Sequence, residues 1–325
     1  MSVGVRRASI LDKGLYMDLK GLKEIEALAA AERKEYFEET RRFCENRRAK
    51  WQTNPFILWG IAKLAPLFRG FEIEYEGLEN VSGDETFIFL CNHSNSHDFF
   101  IIRETFEKIN KNVTPLGAWD GLNPITRLWF RLSNVTLIKR DSKQSKERGI
   151  LDYCSRILHG DNGFVFGEAT WNLHSIKPMQ NVKAGVTEIA LITGKRIVPT
   201  IFEYVEVDGL CKKESKLYKK CIVRFGKPVA ISTERSIFGQ TRELQNIMEK
   251  MRREIWFREG IVRDKLSDID IDRYINHTYL KKYKAFGFQY DTSLESQFLL
   301  KGESGVENEY CLDEQRDFVP GFLKK

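Results

Sequence analysis

Short apolar runs alternate with helix-length segments between residues 86 and 231, and this alternation limits the possible folds most strongly. The runs are rich in β-branched and aromatic residues and span 86–91, 113–118, 135–139, 163–168, 196–204 and 221–231. Runs this apolar indicate strands that are buried on both faces. Helix-length segments lie between them at 99–110, 145–159 and 182–193. The pattern predicts an α/β fold in which helices flank a central, mostly parallel sheet.

The remaining segments predict a chain of three parts. Residues 21–49 are rich in Glu, Lys, Arg, Ala and Leu and contain no proline, which favours helix, so residues 1–70 are predicted to be a helical N-terminal segment. Residues 71–262 hold the alternating pattern and a further helix near 242–256. Residues 263–325 form a polar C-terminal extension that ends in an acidic stretch, and the sequence does not indicate its role.

Charge and cysteine content exclude several classes of protein. The 52 Lys and Arg residues against 46 Asp and Glu residues give a net charge of +6, which does not by itself predict a nucleic-acid partner. The six cysteines include no CxxC pair, so the sequence predicts neither a zinc cluster nor a disulfide scaffold. The first thirty residues lack the continuous apolar stretch of a secretory signal. We therefore expect a cytoplasmic protein.

An apolar segment at 55–68 predicts contact with a membrane surface. Asn54 is a suitable helix N-cap and Pro55 a suitable first helical residue, but the apolar run is shorter than the roughly 20 residues that span a bilayer. Five basic residues precede it, namely Arg41, Arg42, Arg47, Arg48 and Lys50. Basic residues beside an apolar helix favour an anionic membrane, which predicts peripheral association. The alternative is a helix that caps the protein core.

A polar window follows the first apolar run and suggests a reactive site. The window "NHSNSHD" begins where the predicted strand ends, and in open parallel sheets ligands bind at the carboxyl ends of strands. His93 and Asp98 can pair only if a turn separates them, with a helix starting near Asp98. If paired, Asp98 orients the imidazole of His93 so that it can remove a proton from a hydroxyl group. The alternative is that His93, His97 and Asp98 only cap a helix and satisfy the loop backbone.

Four blocks in order resemble the glycerolipid acyltransferase family, which includes the 1-acylglycerol-3-phosphate acyltransferases. "NHSNSHD" matches the family signature N-H-x-x-x-x-D in full, and "VTLIKRD" places Arg140 at the arginine of the second block. "FGEAT" resembles the third block, F-P-E-G-T-R, and "VKAGVTEIALITGKRIVPT" resembles the fourth. The resemblance covers about residues 71–231. It identifies the chain as a member of the lysophospholipid acyltransferase superfamily.

The resemblance implies transfer of a fatty acyl group to a hydroxyl, as in phospholipid biosynthesis. The donor would be acyl-CoA or acyl-carrier protein, and the acceptor a lysophospholipid or glycerol phosphate at a membrane surface. His93 would be the general base and Asp98 its orienting partner. The implied substrate-binding residues are Asn92, Arg140, Glu168, Thr170, Trp171 and Lys183. A thioester is already activated, so we expect no metal and no organic cofactor.

The third block departs from the family pattern at three positions. Gly167 replaces the family's proline, and Ala169 replaces its glycine, so we expect a local difference in the turn. Trp171 stands at the usual arginine, and tryptophan cannot supply a guanidinium for an acceptor phosphate. Either Arg140, Lys139, Lys177 or Lys183 supplies that charge instead, or the acceptor is a glycolipid or glycan without the phosphate. A third possibility is a non-catalytic protein that binds lipid or acyl carrier.

Overall fold

In a computed structural model, the protein has a seven-stranded sheet with helices packed on both faces. The structure describes residues 17–47, 55–94, 97–118, 124–138, 142–169, 178–206 and 218–261. The strands are β1 Glu72–Glu76, β2 Ile88–Cys91, β3 Val113–Ala118, β4 Thr136–Ile138, β5 Asn162–Phe166, β6 Ile197–Glu206 and β7 Tyr218–Phe225. The helices are α1 Leu22–Glu26, α2 Ala30–Glu45, α3 Pro55–Arg69, α4 Asp98–Lys108, α5 Pro124–Leu132, α6 Lys143–Leu158, α7 Gly185–Thr193 and α8 Ile237–Arg258, and a 3-10 turn covers Leu78–Val81.

The sheet order is β1-β7-β6-β2-β5-β3-β4. All neighbouring strands run parallel except β6 and β7, which are antiparallel. The predicted α/β fold with a mostly parallel sheet is therefore confirmed. Strand β2 lies in the middle, between β6 and β5, so the polar window that follows it opens at the centre of one sheet edge.

Strand β2 shows why the apolar runs were readable as buried strands. All four of its residues are buried, and successive side chains point to opposite faces. Ile88 and Leu90 pack into a core with α2, α6, α7 and α8, whereas Phe89 and Cys91 pack into an aromatic core with α4. Helices cover both faces of the strand, so a polar residue would be costly on either one.

Element boundaries differ from the predicted runs where glycine and proline intervene. The run at 113–118 is confirmed as β3, but the run at 163–168 ends as a strand at Phe166. The run at 221–231 ends at Phe225, and beyond it Val229 makes only an isolated bridge to Ile197. The intervening "GKP" explains this break, because proline cannot donate to a ladder.

Two elements were missed by the strand and helix pattern. Strand β1, "EIEYE", is an edge strand with charged residues at alternate positions, so it carries no continuous apolar run. Helix α5 has nine residues and lies between two strands that the pattern did locate. Short edge elements depend on the packing of their neighbours, and a sequence window contains little of that information.

The predicted N-terminal helix is confirmed as α1 and α2, and α2 joins the core of the sheet domain. Tyr36 and Phe37 of α2 are buried in the same core cluster as residues of α6 and α7. Arg33 donates to the carbonyl oxygen of Arg235 at 2.8 Å, and Arg41 donates to that of Ile192 at 2.8 Å. These bonds satisfy carbonyl groups at the ends of neighbouring elements. The N-terminal helix is therefore an integral part of the packing.

Helix α3 packs on α4 with one face and exposes apolar side chains elsewhere. Ala62 is buried, and Lys63 forms an ion pair with Glu107 of α4 at 3.7 Å. Ile57, Trp59 and Leu64 are exposed. None of the helices in the described ranges is long and apolar enough to cross a membrane. The predicted N-cap Asn54 and the extension from residue 263 lie outside the described residues.

Candidate active site

The polar window brings His93 and Asp98 together between β2 and α4. Strand β2 ends at Cys91 and α4 begins at Asp98, so the chain turns back within the window. His93 Nδ1 lies 2.7 Å from Asp98 Oδ2, and the backbone N–H of Ser94 donates to the same oxygen at 3.2 Å. The pairing that the spacing permits is thus present. His97 occupies the N-cap position of α4, but its side chain makes no cap hydrogen bond, and His93 lies outside the helix.

The second oxygen of Asp98 is held by a residue that the sequence did not single out. Tyr204, on β6, donates its hydroxyl to Asp98 Oδ1 at 2.5 Å. Burial and the charge of Asp98 raise the pKa of Tyr204 well above its usual range, so this hydroxyl remains a donor. Tyr204 ends the apolar run at 196–204, but the sequence does not reveal that β6 pairs with β2.

Replacing Tyr204 by phenylalanine should test whether this bond positions the pair. The change removes one hydrogen-bond donor to a buried carboxylate, which costs about 1–3 kcal/mol of unfolding free energy. We expect turnover of the folded variant to fall roughly tenfold while the Michaelis constants stay unchanged, because the orientation of Asp98 is loosened and no substrate contact is lost. The effect should be non-additive with Asp98→Asn in a double-mutant cycle. An unchanged turnover number in folded Tyr204→Phe would contradict this role.

The ring of His93 is fixed on its face as well as through Nδ1. It stacks on Phe166 with 3.8 Å between ring centroids and an angle of 12° between planes. The His93 side chain is 19% exposed, whereas that of Asp98 is 1% exposed. The ring of His97 instead contacts Phe71 edge to face, at 5.4 Å. His93 thus combines a buried carboxylate partner with a partly exposed ring.

Glu168 joins the predicted third block to the catalytic window. Its Oε1 accepts the backbone N–H of His93 at 3.0 Å, and its Oε2 accepts that of Gln180 at 2.8 Å. The side chain is buried, and β5, which precedes it, is the direct neighbour of β2. The carboxyl group therefore fixes the loop backbone that carries His93. This backbone role was not anticipated, because the resemblance implied a substrate-binding residue.

The burial of Glu168 predicts a pH dependence of stability. Burial raises the pKa of Glu168 from 4.5 to about 8, although two backbone N–H donors oppose the shift. Between these values the native state holds a proton that the unfolded state releases, so the free energy of unfolding falls as pH rises from about 4.5 to 8. We expect Glu168→Gln to flatten this dependence by up to about 1.4 kcal/mol per pH unit.

Denaturant unfolding of the wild type and of Glu168→Gln at pH 5, 6, 7 and 8 measures this effect. The matched variant is Glu188→Gln, because burial also raises the pKa of Glu188, to about 7. That variant should flatten the curve only below about pH 7. Parallel curves for the wild type and Glu168→Gln would contradict the prediction.

Asn92 and Lys183 are placed differently from the two catalytic candidates. The Asn92 amide is fully buried, where its Oδ1 accepts the N–H of Phe202 at 2.8 Å and its Nδ2 donates to the carbonyl of Phe202 at 2.9 Å. Asn92 thereby extends the pairing between β2 and β6. Lys183 is exposed, and its backbone N–H donates to the carbonyl of Gly167 at 2.9 Å. Arg140, Thr170 and Trp171 lie outside the described residues.

The two departures in the third block that the structure describes have different physical consequences. A Cβ at Gly167 would lie 2.5 Å from Leu90 Cδ1, and the N–H of Gly167 donates to the carbonyl of Cys91 at 3.0 Å. Glycine thus allows close packing and one more bond between β5 and β2. Ala169 adopts φ +57°, a left-handed conformation that costs an L-residue roughly 1–2 kcal/mol. The turn therefore keeps a left-handed residue despite the alanine.

Helix α8 contributes a buried arginine that stabilises the backbone near Gln180. Arg252 donates to the carboxylate of Glu203 at 2.5 Å and to the carbonyl of Pro178 at 2.5 Å. Pro178 precedes Gln180, the second donor to Glu168, so this buried ion pair stabilises the support of the loop. Sequence reasoning missed Arg252, because it is one of several basic residues on α8. Within the described ranges, no three His, Cys, Asp or Glu side chains are grouped so that they could hold a metal ion.

Comparison with known proteins agrees with the four blocks. No curated protein sequence matches the chain. Among solved structures, the chain is similar to the 1-acyl-sn-glycerophosphate (LPA) acyltransferase PlsC from Thermotoga maritima, with 16% identity, a TM-score of 0.46, and coverage of 70% of this chain and 97% of that one. The family model described as Acyltransferase matches residues 72–203, from β1 to the strand that carries Tyr204. By this match, the segment that contains His93, Asp98 and Glu168 is similar to the acyltransferase family.

Proposed function

We propose that the protein transfers a fatty acyl group from the thioester of acyl-CoA or acyl-carrier protein to a hydroxyl of a lysophospholipid-type acceptor. The observation that carries this proposal is the contact of 2.7 Å between His93 Nδ1 and the buried carboxylate of Asp98. A histidine that donates from Nδ1 to a carboxylate has its basic lone pair on Nε2. The family match supports acyl transfer as the reaction of that base.

The proposed reaction needs no covalent intermediate on the protein. His93 Nε2 takes the proton of the acceptor hydroxyl as its oxygen attacks the thioester carbonyl carbon. The tetrahedral intermediate collapses with cleavage of the C–S bond, and the imidazolium returns its proton to the leaving thiolate. The products are an ester and a free thiol. Asp98 stabilises the transient imidazolium, and its bonds to Tyr204 and Ser94 keep the carboxylate in place during the cycle.

Mass spectrometry of reaction products tests the proposal. The purified chain is incubated with a long-chain acyl-CoA or acyl-carrier protein and with glycerol 3-phosphate, a lysophosphatidic acid or an uncharged lysoglycolipid. We expect an acylated product whose formation requires His93, so His93→Ala is the matched control. Absence of product with every donor and acceptor would favour a non-catalytic lipid- or acyl-carrier-binding protein.

The acceptor class depends on whether Arg140 replaces the missing arginine of the third block. Strand β4 ends at Ile138, two residues before Arg140, and β5 and β3 lie between β4 and β2. We propose that Arg140 binds the phosphate of an acceptor that lies across the carboxyl ends of these strands. Arg140→Ala should then raise the Michaelis constant of a phosphate-bearing acceptor about tenfold or more, because a charge-assisted contact contributes about 1.5–3 kcal/mol. The Michaelis constant of the donor should not change.

The competing acceptor is an uncharged glycolipid or glycan, which Trp171 favours because tryptophan has no charge for a phosphate. Lys139→Ala, the adjacent basic residue, serves as a control for a general loss of positive charge. Preference for the uncharged acceptor, together with an unchanged Michaelis constant in Arg140→Ala, would exclude the phosphate role.

We also propose that the protein associates peripherally with the membrane surface that holds its acceptor. The support is the exposed apolar surface of α3, where Trp59 and Leu64 are each 53% exposed. Lys63 lies over the ring of Trp59, at 5.9 Å from the centroid, and adds positive charge to this surface. Aromatic side chains beside basic ones are typical of proteins that contact lipid headgroups.

A further inference from the structure

Helix α5, which the sequence pattern missed, exposes apolar side chains close to the catalytic pair. Leu128 is 59% exposed and Trp129 is 41% exposed. The neighbouring Phe130 stacks on Phe99, with 5.7 Å between centroids, and the ring of Trp129 lies 6.3 Å from that of Phe99. Phe99 directly follows Asp98 in α4. The exposed side chains of α5 are thus anchored to the helical turn that holds the catalytic carboxylate.

Helix α3 reaches the same turn of α4. Lys63 pairs with Glu107 near the C-terminal end of α4, whereas Phe71, just beyond α3, contacts His97 at its N-terminal end. The two helices therefore run antiparallel, and the chain leaves α3 beside the catalytic window. Helices α3 and α5, which both expose apolar side chains, therefore contact the helix that begins with Asp98.

The exposed apolar side chains are not spread evenly over the described residues. Five of the eight large ones lie on α3 and α5, namely Ile57, Trp59, Leu64, Leu128 and Trp129, and the other three, Phe238, Ile247 and Phe257, lie on α8. Large apolar groups on a surface are commonly sites of contact with a partner or membrane.

Charge separates these helices from α8. The 24 residues of α3 and α5 contain four basic residues and no acidic one, and the basic ones are Lys63, Arg69, Arg127 and Arg131. Helix α8 contains three glutamates among its charged residues, namely Glu243, Glu249 and Glu254. The charged residues of α3 and α5 themselves are all basic, with Lys63 paired to Glu107 of α4, and this favours anionic lipid, whereas the mixed charge of α8 is typical of a solvated helix.

We propose that α5 is a second lipid-contacting helix and that α3 and α5 together dock the protein on an anionic bilayer. Trp129 and Leu128 enter the interfacial region, where tryptophan is favoured, while α5 is too short to span the bilayer. The inference rests on the proposed lipid acceptor, which then reaches His93 from the membrane at the turn that carries Phe99. It adds to the proposed function a surface that no sequence motif indicated.

Co-sedimentation with vesicles tests the proposal in the absence of substrate, so the result does not depend on acyl transfer. The probes are phosphatidylcholine vesicles with and without phosphatidylglycerol. The test variant is the full chain with Leu128→Ser and Trp129→Ser, and the matched control is Phe257→Ser, which removes the 91% exposed aromatic side chain of α8. We expect the partition coefficient of the double variant on anionic vesicles to fall at least about tenfold, and that of Phe257→Ser to be unchanged. Wild-type binding should weaken in high salt.

Thermal unfolding confirms that each variant is folded, and sedimentation velocity without lipid reports self-association. A double variant that binds anionic vesicles as tightly as the wild type would overturn the proposal. Equal loss of binding in Phe257→Ser would also overturn it, because contact would then not be specific to α5. A double variant that only loses self-association, with unchanged vesicle binding, would assign the surface to a second copy of the chain. Vesicle binding as expected, without product formation on any acceptor, would instead count against the proposed function alone.

Discussion

His93→Ala is expected to lower the turnover number for acyl transfer by roughly 10²–10⁴-fold, the contribution typical of a positioned general base. The imidazole is the partly exposed member of a pair whose carboxylate is almost fully buried, so its removal deletes the base and little core packing. We therefore expect the thermal unfolding temperature to change little. The loss of stacking on Phe166 is the main structural cost.

His97→Ala is the matched control, because it removes a second imidazole from the same window. The ring of His97 contacts Phe71 and has no part in the proposed proton transfer, so turnover should stay within a few-fold of the wild type. Initial rates measured for both variants with the same donor and acceptor show which histidine is the base. Near-normal turnover in a folded His93→Ala protein, or an equal loss in His97→Ala, would refute the assignment of the base.

Asp98→Asn is expected to cost roughly 10³–10⁴-fold in turnover while leaving the Michaelis constant of the donor nearly unchanged. The carboxylate accepts from His93 Nδ1, and a neutral amide can present its NH₂ group to that nitrogen instead. The proton of the imidazole would then reside on Nε2, the nitrogen that has to accept the proton of the acceptor. The variant also lacks the negative charge that stabilises the imidazolium.

The change has one structural side effect at the site. When the asparagine turns its NH₂ group towards His93, Tyr204 can still donate to the amide oxygen, but the backbone N–H of Ser94 faces the NH₂ group and loses this acceptor. Asp152→Asn is a suitable control, since Asp152 pairs with Arg47 at 2.7 Å on α6. Steady-state kinetics over a range of donor and acceptor concentrations separates the outcomes. An effect confined to donor affinity would show that Asp98 does not orient the base.

The sequence alone was sufficient for the fold class and for the contact between His93 and Asp98. Strands that are buried on both faces need continuous apolar residues, so β2, β3, β5 and β6 were visible as apolar runs. The segments between these runs were long enough to form helices. The pairing of His93 with Asp98 was visible because they lie five positions apart and the chain between the strand and the helix is short. A contact between residues this close in sequence can be predicted from the sequence.

The hydrogen bonds that hold His93 and Asp98 in place depend on the tertiary structure. Tyr204 lies 106 residues from Asp98, and Glu168 lies 75 residues from His93. They meet the window only because β6 and β5 are the two neighbours of β2, and strand order depends on the packing of the whole sheet. The same reason explains α5, whose position depends on Phe99. The sequence by itself thus determined that His93 and Asp98 lie side by side, and the order of the strands determined which distant side chains contact them.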